Sequence, residues 1–399
     1  MPHDPESRTA DLIHRMRVLA RTHDATMSGR TPPVAPRRVI AESWTRLRRA
    51  GLDPERGADP DPWPADVVEA RRRASPLSGT VREVLSDGLL SLAQDAGYVH
   101  AIVDGEGRVL WREGGTTAQR RADALGLIAG ACWTEERVGT NAIGTALARG
   151  RPVQVHSAEH FVRTHHAWTC AAAPIHDPRD GSLLGVTDLS GPAMSVHPSM
   201  LALVTTVARL AEAKLRDRHR DALEQLRSTA TPLLSRLNEV AVVTDPHGWV
   251  AASIGMPPTP RLRLPDHPAD HAWVPTLGTC SIEPVPGGLL VRRRDTDEPR
   301  EPARVQLDLS DPHRPVLTVH RGVASWTHQL TPRHSTLLEL LAHHRAGLSA
   351  ADLAEGLFHD RGRTITVRAE LSRLRRRVGD LLEHRPYRFA ANDEVTVRR

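Results

Sequence analysis

Residues 361–377 read Arg361-Gly-Arg-Thr-Ile-Thr-Val-Arg-Ala-Glu-Leu-Ser-Arg-Leu-Arg-Arg-Arg377. Val367, Leu371, Leu374 and Val378 recur at spacings of four, three and four, which is one face of an α-helix. Arg368, Arg373, Arg375, Arg376 and Arg377 fall on its other faces. Seven arginines against a single acid, Glu370, give the segment a charge of +6, more than the +5 of the whole 399-residue chain. A helix that packs by one stripe and shows guanidinium groups elsewhere suits the major groove of DNA, where Arg reads guanine and neutralises phosphate.

The flanking sequence extends this reading. Thr331 is a good N-cap, followed by Pro332 at the first helical position and an apolar stripe of Leu337, Leu338 and Leu341. Gly347 ends that helix. Ser349 caps the next one, which turns Leu353 and Leu357 inward, and a turn at His359–Gly362 leads into the arginine helix. Tyr387–Val397 reads as strand, Asn-Asp turn, strand, a hairpin wing. Three helices and a β-hairpin make a winged helix-turn-helix. Residues 331–399 resemble the winged helix of OmpR/PhoB-type regulators, with Val367-Arg-Ala-Glu-Leu-Ser-Arg-Leu-Arg-Arg at the place of the recognition helix. That resemblance implies a helix in the major groove and a wing at the adjacent minor groove of double-stranded DNA. By position, Thr366, Arg368, Ser372 and Arg373 would face bases, and Arg363, Arg375, Arg376, Arg377 and Arg388 would meet phosphates. The bland alternative is a solvated basic helix.

Composition sets outer limits. A chain of 399 residues has room for two to four domains. Its 39 % hydrophobic content permits real cores. A single lysine, Lys214, among 53 basic residues, together with abundant Ala, Arg and Pro, points to a GC-rich bacterial genome rather than to a special chemistry. No apolar run approaches the roughly twenty residues of a membrane span, and the polar N-terminus is unlike a signal peptide, so a cytoplasmic protein is expected. Three cysteines, Cys132, Cys170 and Cys280, lack the short paired spacing of a zinc site or a disulfide scaffold.

From the N-terminus, a helix to about Arg30 precedes a Pro-rich joint, a short amphipathic helix from Val39 stopped by Gly51, a linker at 56–64 and a helix at Leu85–Leu92. Tyr98–Trp111 reads as strand, Gly-rich turn, strand. Val153–His156, Cys170–Ile175 and Gly185–Ser190 add strands, with helices at about 121–130 and 198–228. This is an α+β sensor architecture. Trp133-Thr-Glu-Glu-Arg-Val-Gly-Thr-Asn-Ala-Ile-Gly, Val153-Gln-Val-His-Ser-Ala-Glu-His-Phe, Trp168-Thr-Cys-Ala-Ala-Ala-Pro-Ile and Gly185-Val-Thr-Asp-Leu-Ser-Gly resemble the GAF sensor of acetoin-catabolism activators. With the Glu42-Ser-Trp helix, the resemblance covers residues 36–215. It implies a domain that perceives a metabolite or partner protein. Those activators carry a central ATPase; here no Gly-x-x-x-x-Gly-Lys-Ser/Thr occurs, so ATP-driven remodelling of RNA polymerase does not carry over.

A GAF ligand sits between sheet and loops, which makes Trp133, Asn141, His160, Phe161, Trp168 and Asp188 the candidates for lining a small-molecule pocket. His156, His160, His165 and His166 crowd one loop, yet belong to the ordinary block of the resembled family, and no metal or cofactor is expected. Cys132 and Cys170 allow an alternative: a redox enzyme like the GAF-fold methionine sulfoxide reductases. Their apolar surroundings favour inert thiols, and a non-enzyme is expected. Val204, Val207, Ala211, Leu215, Ala222 and Leu226 form a stripe suited to a coiled-coil homodimer. Segment 229–325 repeats the strand, Asp/Gly turn, strand format at Val240–Ala252 and has strands near Leu289, Val305 and Val316, with loops at 257–268 and 295–302. It reads either as a PAS-like module or as a β-rich spacer.

The expectation is therefore a multi-domain α+β, one-component DNA-binding regulator: helical region 1–78, GAF sensor 79–215, connecting helix 216–228, β-rich module 229–327 and winged helix 328–399. Its expected partners are DNA, an unidentified effector, a second copy of the chain and, for activation, RNA polymerase.

Overall fold

The computed structural model describes residues 5–57, 59–95, 97–237, 239–265, 270–294, 302–312, 314–321, 324–378 and 381–399. It divides into two compact units, 1–218 and 219–399.

The first unit opens with α1 (Pro5–Met27), α2 (Arg38–Arg49), α3 (Ala65–Ala74) and α4 (Thr80–Asp95). Strands β1 (Val99–Asp104) and β2 (Val109–Gly114), helices α5 (Thr116–Asp123), α6 (Glu135–Val138) and α7 (Ala142–Arg149), then β3 (Val153–His156), β4 (Trp168–His176) and β5 (Leu183–Pro192) follow. The strands form one antiparallel sheet in the order β2-β1-β5-β4-β3. Side chains alternate along each strand, and both faces are covered. Val99, Ala101, Val103, Cys170, Ala172 and Val186 join Ile40, Trp44, Trp133 and Phe161 on one face. Ile102, Ala171, Ala173 and Leu189 join Leu77, Leu85, Val204 and Val207 on the other. Two covered faces explain why β1 is buried at every position, His100 and Asp104 included.

Local sequence misled at two points. The helix expected at about 121–130 is α5, displaced to Thr116–Asp123, because Gly126 and Gly130 sit at φ +74° and +85° and turn the chain out of helix. Helix α3, just beyond the stretch read as linker, was not anticipated; it buries little beyond Val68 and so carries a weak apolar signal.

Helix α8 (Ser199–Leu234) starts in the first unit and ends in the second. Val204, Val207 and Ala211 are buried against the first sheet, and Leu226, Ala230 and Leu234 against the second. Of the stripe expected to form a coiled coil, Val204, Val207, Ala211 and Leu226 are thus spent on the chain's own sheets, Leu215 is partly buried and Ala222 is exposed. A Leu or Val facing its own sheet is no longer available as a knob for a partner helix.

The second unit continues with β6 (Ala241–Thr244), β7 (Val250–Ile254), β8 (His271–Val274), β9 (Gly278–Val285) and β10 (Gly288–Arg293). Their order is β7-β6-β10-β9-β8, again antiparallel: the same serial order as the first sheet. Next come β11 (Arg304–Asp308), β12 (Val316–Arg321), β13 (Ala324–Gln329), α9 (Pro332–His343), α10 (Ala350–Phe358), α11 (Thr364–Val378), β14 (Leu382–Glu383), β15 (Arg388–Phe389) and β16 (Glu394–Arg398). The structure divides segment 229–327. Strands β6–β10 form a sheet of their own, whereas β11–β13 join β16 in the order β13-β12-β11-β16. One core runs from Val242, Ile282 and Val291 through Leu307 and Val319 to Leu337, Leu353, Leu371 and Leu374. A boundary at 327/328 would cut that core.

The expected wing is not formed by the Asn-Asp turn. β15 pairs with β14, so the hairpin is Leu382–Phe389, and Tyr387 bridges Leu348. β16 instead lies parallel to β11. The Ala303 N–H donates to Asp393 Oδ1 at 2.9 Å, and the Glu394 N–H donates to the Ala303 carbonyl at 2.9 Å, drawing the last strand to β11. Of the loops expected at 257–268 and 295–302, positions 266–268 and 295–301 lie outside the described residues. Among the described residues no helix is long and apolar enough to cross a membrane.

Candidate functional site

Helix α11 is set by its neighbours' caps. The Thr331 hydroxyl accepts from the His334 N–H at 3.3 Å. Ser349 and Asp352 cap α10 reciprocally, each side chain accepting from the other's backbone N–H at 3.2 Å. His359 then turns left-handed, at φ +54°, to release the chain into α11. Val367, Leu371, Leu374 and Val378 are all at most 2 % exposed, as their spacing requires.

Thr366, Arg368, Ser372, Arg373 and Arg377 are exposed on α11 and Arg375 is half-buried. Arg376 belongs to the helix, but its side chain lies outside the described residues. Arg373 Nη1 donates to Glu370 Oε1 at 3.0 Å. Glu370 itself is buried and contacts His334 Nε2 at 3.2 Å; burial holds the His334 imidazole below its usual range. This Glu370–His334 anchor was not legible, because the partners stand 36 positions apart. Arg363 lies over the Phe358 ring at 5.4 Å and pairs with Asp360 at 3.4 Å. Arg388 is turned to Glu383 across the hairpin at 2.7 Å. Arg368, Ser372 and Arg375 share a cleft of about 740 Å³ with Trp273, Thr276, Arg385 and Tyr387. Trp273 and Thr276 belong to β8 and its following turn, a contribution no local motif announced. Arg377 also acts on Arg263, whose pKa is lowered first by burial and then by this neighbour.

In the first unit, Trp133, His160 and Trp168 converge on one small cavity with Leu125, Leu127, His165, Cys170 and Ser190. Trp133 stacks on His165 at 5.4 Å. The cavity measures about 10 Å³, room for roughly one water. Burial holds the His165 and His166 imidazoles down at about 4 and pushes His160 well below its usual range, so the three rings are neutral at pH 7. Asp188 lies beside Cys170 in the sheet. It is fully buried, its Oδ2 accepts from Ser190 Oγ at 2.6 Å, and its Oδ1 has no hydrogen-bond partner. Burial raises its pKa to about 7.

The other two pocket candidates are structural. Asn141 caps α7, accepting from the Gly144 N–H at 2.8 Å and donating to the Gly139 carbonyl at 2.8 Å. Phe161 is wholly buried in the core. Sequence reasoning missed Glu135, which is 2 % exposed and is the hub of this region. It accepts from Ser43 at 2.6 Å, Thr145 at 2.7 Å and Arg46 at 2.5 Å. Gly144 permits that close approach: a Cβ there would stand 2.5 Å from the Glu135 nitrogen. Among the described residues, no group of three or more His, Cys, Asp or Glu side chains could hold a metal ion. The three cysteines are unpaired and buried, and burial with the nearby Asp188 pushes the Cys170 thiol well above its usual range.

Residues 20–217 match the family described as MimR, N-terminal domain. The chain is 32 % identical over 354 residues to an uncharacterised 47.3 kDa protein in the thcA 5′ region of Rhodococcus erythropolis, covering 88 % of this chain and 63 % of that one. It is 36 % identical over 238 residues to the acetoin dehydrogenase operon transcriptional activator AcoR of Bacillus subtilis, covering 59 % of this chain and 38 % of the activator. It is 31 % identical over 191 residues to the propane 2-monooxygenase operon transcriptional activator MimR of Mycolicibacterium smegmatis, covering 47 % and 31 % respectively. The chain therefore spans less than two thirds of the length of each of these relatives.

Proposed function

We propose that this protein is a one-component transcription regulator in which a GAF-type sensor in the first unit controls a winged-helix DNA-binding head in the second. The observation that carries the reading is α11: one stripe locked into the core, and an opposite surface bearing exposed Arg368, Arg373 and Arg377. Named relatives that are transcriptional activators support the same class.

In this reading Thr366, Arg368, Ser372 and Arg373 face bases, while Arg363, Arg375, Arg376, Arg377 and Arg388 neutralise phosphates. The effector is a small organic molecule taken up at the Trp133, His160 and Trp168 cavity. Since that cavity holds no more than about a water, uptake requires these side chains to move apart. Asp188 lies behind them, and Asn141 and Phe161 act as supports rather than contacts. Helix α8, buried against one sheet in each unit, is the element through which such a change would pass. A homodimer would place two heads on a repeated site, through a surface other than the α8 stripe, and an activator would also engage RNA polymerase. The redox-enzyme alternative needs a nucleophilic thiolate, and the raised pKa of Cys170 works against it.

The test is binding of the full chain to DNA flanking its own gene, against random competitor at near-physiological salt. Competitor-resistant binding that Arg373→Ala removes is the expected result. Binding that random DNA displaces equally well overturns the reading.

A further inference from the structure

The following rests on the DNA-binding reading. Successive residues of α11 are turned by about 100°, and buried Val367, Leu371, Leu374 and Val378 mark its inward line. The opposite line passes exposed Ile365 and Ala369 and the position of Arg376, with exposed Ser372 and Arg373 about equally far to either side. Arg368 and half-buried Arg375 flank that line on one side; Thr366, Arg373 and Arg377 flank it on the other. Ile365 and Ala369 thus put an apolar step in the N-terminal half of the outward line, ahead of Arg376 and between flanking cations.

Ile365 is 80 % exposed, whereas Val34, the next most exposed large hydrophobic among the described residues, is 55 % exposed. A solitary surface hydrophobe is ordinary. This one occupies the first turn of α11, between Arg363 and Arg368, where a recognition helix offers its residues to base edges. Its β-branched side chain favours neither helix formation nor solubility there. The apolar feature of a base edge in the major groove is the C5-methyl group of thymine.

We propose that Ile365, with Ala369 behind it, reads thymine by burying C5-methyl groups, while the flanking arginines hold guanine and phosphate. Residues four apart on a helix stand about 6 Å apart along its axis, and bases on one strand about 3.4 Å apart. The two side chains therefore meet thymines about two base steps apart.

The experiment selects bound sites from a random duplex library with the full chain, then replaces each thymine of the enriched site by uracil, which lacks only the C5-methyl. One or two positions should each lose about fourfold in affinity, the worth of burying one methyl-sized group. Ile365→Ala should bind the thymine and uracil versions of its position alike, with an unchanged circular-dichroism spectrum and melting midpoint. If the wild-type chain enriches a site but binds every uracil version equally well, Ile365 is not a reader and the regulator reading stands. If no site is enriched over random DNA, the regulator reading fails and this inference falls with it.

Discussion

The Ser43 hydroxyl donates to Glu135 Oε1 at 2.6 Å across 92 positions of sequence. That bond fastens α2 to the first residue of α6, and Arg46 and Thr145 close on the same carboxylate. A carboxylate that is 2 % exposed is tolerable only because each oxygen is taken. Glu135→Ala should therefore destabilise the first unit by on the order of 3 kcal/mol, since it strands buried hydroxyl donors. Glu135→Gln should lose less, because an amide oxygen still accepts. Urea unfolding followed by tryptophan fluorescence decides the point, and equal stability of both variants and wild type would refute it.

Asp188 sets a pH dependence. Its folded pKa, about 7, lies above the ordinary 3.8, so between those values the folded chain holds a proton that the unfolded chain releases. Its stabilising contribution is complete below about pH 4 and is lost as pH rises through about 7. About three units at 1.36 kcal/mol each bounds the effect near 4 kcal/mol. The depressed His160, His165 and His166 work in the opposite sense, losing stability as pH falls from about 6.5 towards 4. Asp188→Asn separates the two. Relative to wild type, the variant should gain at least about 1 kcal/mol between pH 5 and pH 8; a constant difference across that range would show that Asp188 ionises as an ordinary carboxyl.

Arg373 and Arg377 should fail differently. Arg373 is held by Glu370, so its fork has a fixed direction, and Arg373→Ala should relax base preference by about 1–3 kcal/mol at one position. Arg377 is exposed, and Arg377→Ala should weaken binding to all sequences alike, lowering the salt slope by about 1. Titrations on cognate and random duplexes at several salt concentrations distinguish the two; identical behaviour of both variants contradicts the assignment.

Cys170, buried on β4 at the small cavity, should resist a thiol reagent in the folded chain and react on unfolding. Rapid modification of Cys170 at neutral pH in native buffer, mapped by peptide mass, would restore the redox alternative.

What the sequence disclosed follows from where its signals are local. Val367, Leu371, Leu374 and Val378 give a period that no other structure satisfies, and Thr331 and Ser349 announce helix starts by side chain alone. Strands β1 and β6 are legible because each ends in an Asp/Gly turn. By contrast, β8 and β9 were not anticipated: Gly278 opens β9, and Pro284 sits within it, so propensity argued against a strand that its neighbours β8 and β10 impose. The wing was misread for the same reason. Asn392-Asp393 looks like a hairpin turn, but the partner of the following strand lies 90 positions back at Ala303, and only tertiary pairing selects it. In the first unit, Trp133, His160 and Trp168 were singled out through the family resemblance, whereas Glu135 hid as one acid among 48.

The parallel pairing of β16 with β11 makes α9–α11 an excursion that leaves a sheet and returns to it. Parallel neighbours are about 4.8 Å apart, so the helical head is clasped at both ends by its own scaffold. A fragment cut at 328 would free β16 from its mate and leave core residues of β11 and β12 behind. A cut at Ala303 would keep β16 on β11 yet still part Trp326 from Trp273, on which it stacks at 4.9 Å, so the helices are to be excised only with the whole second unit, 219–399.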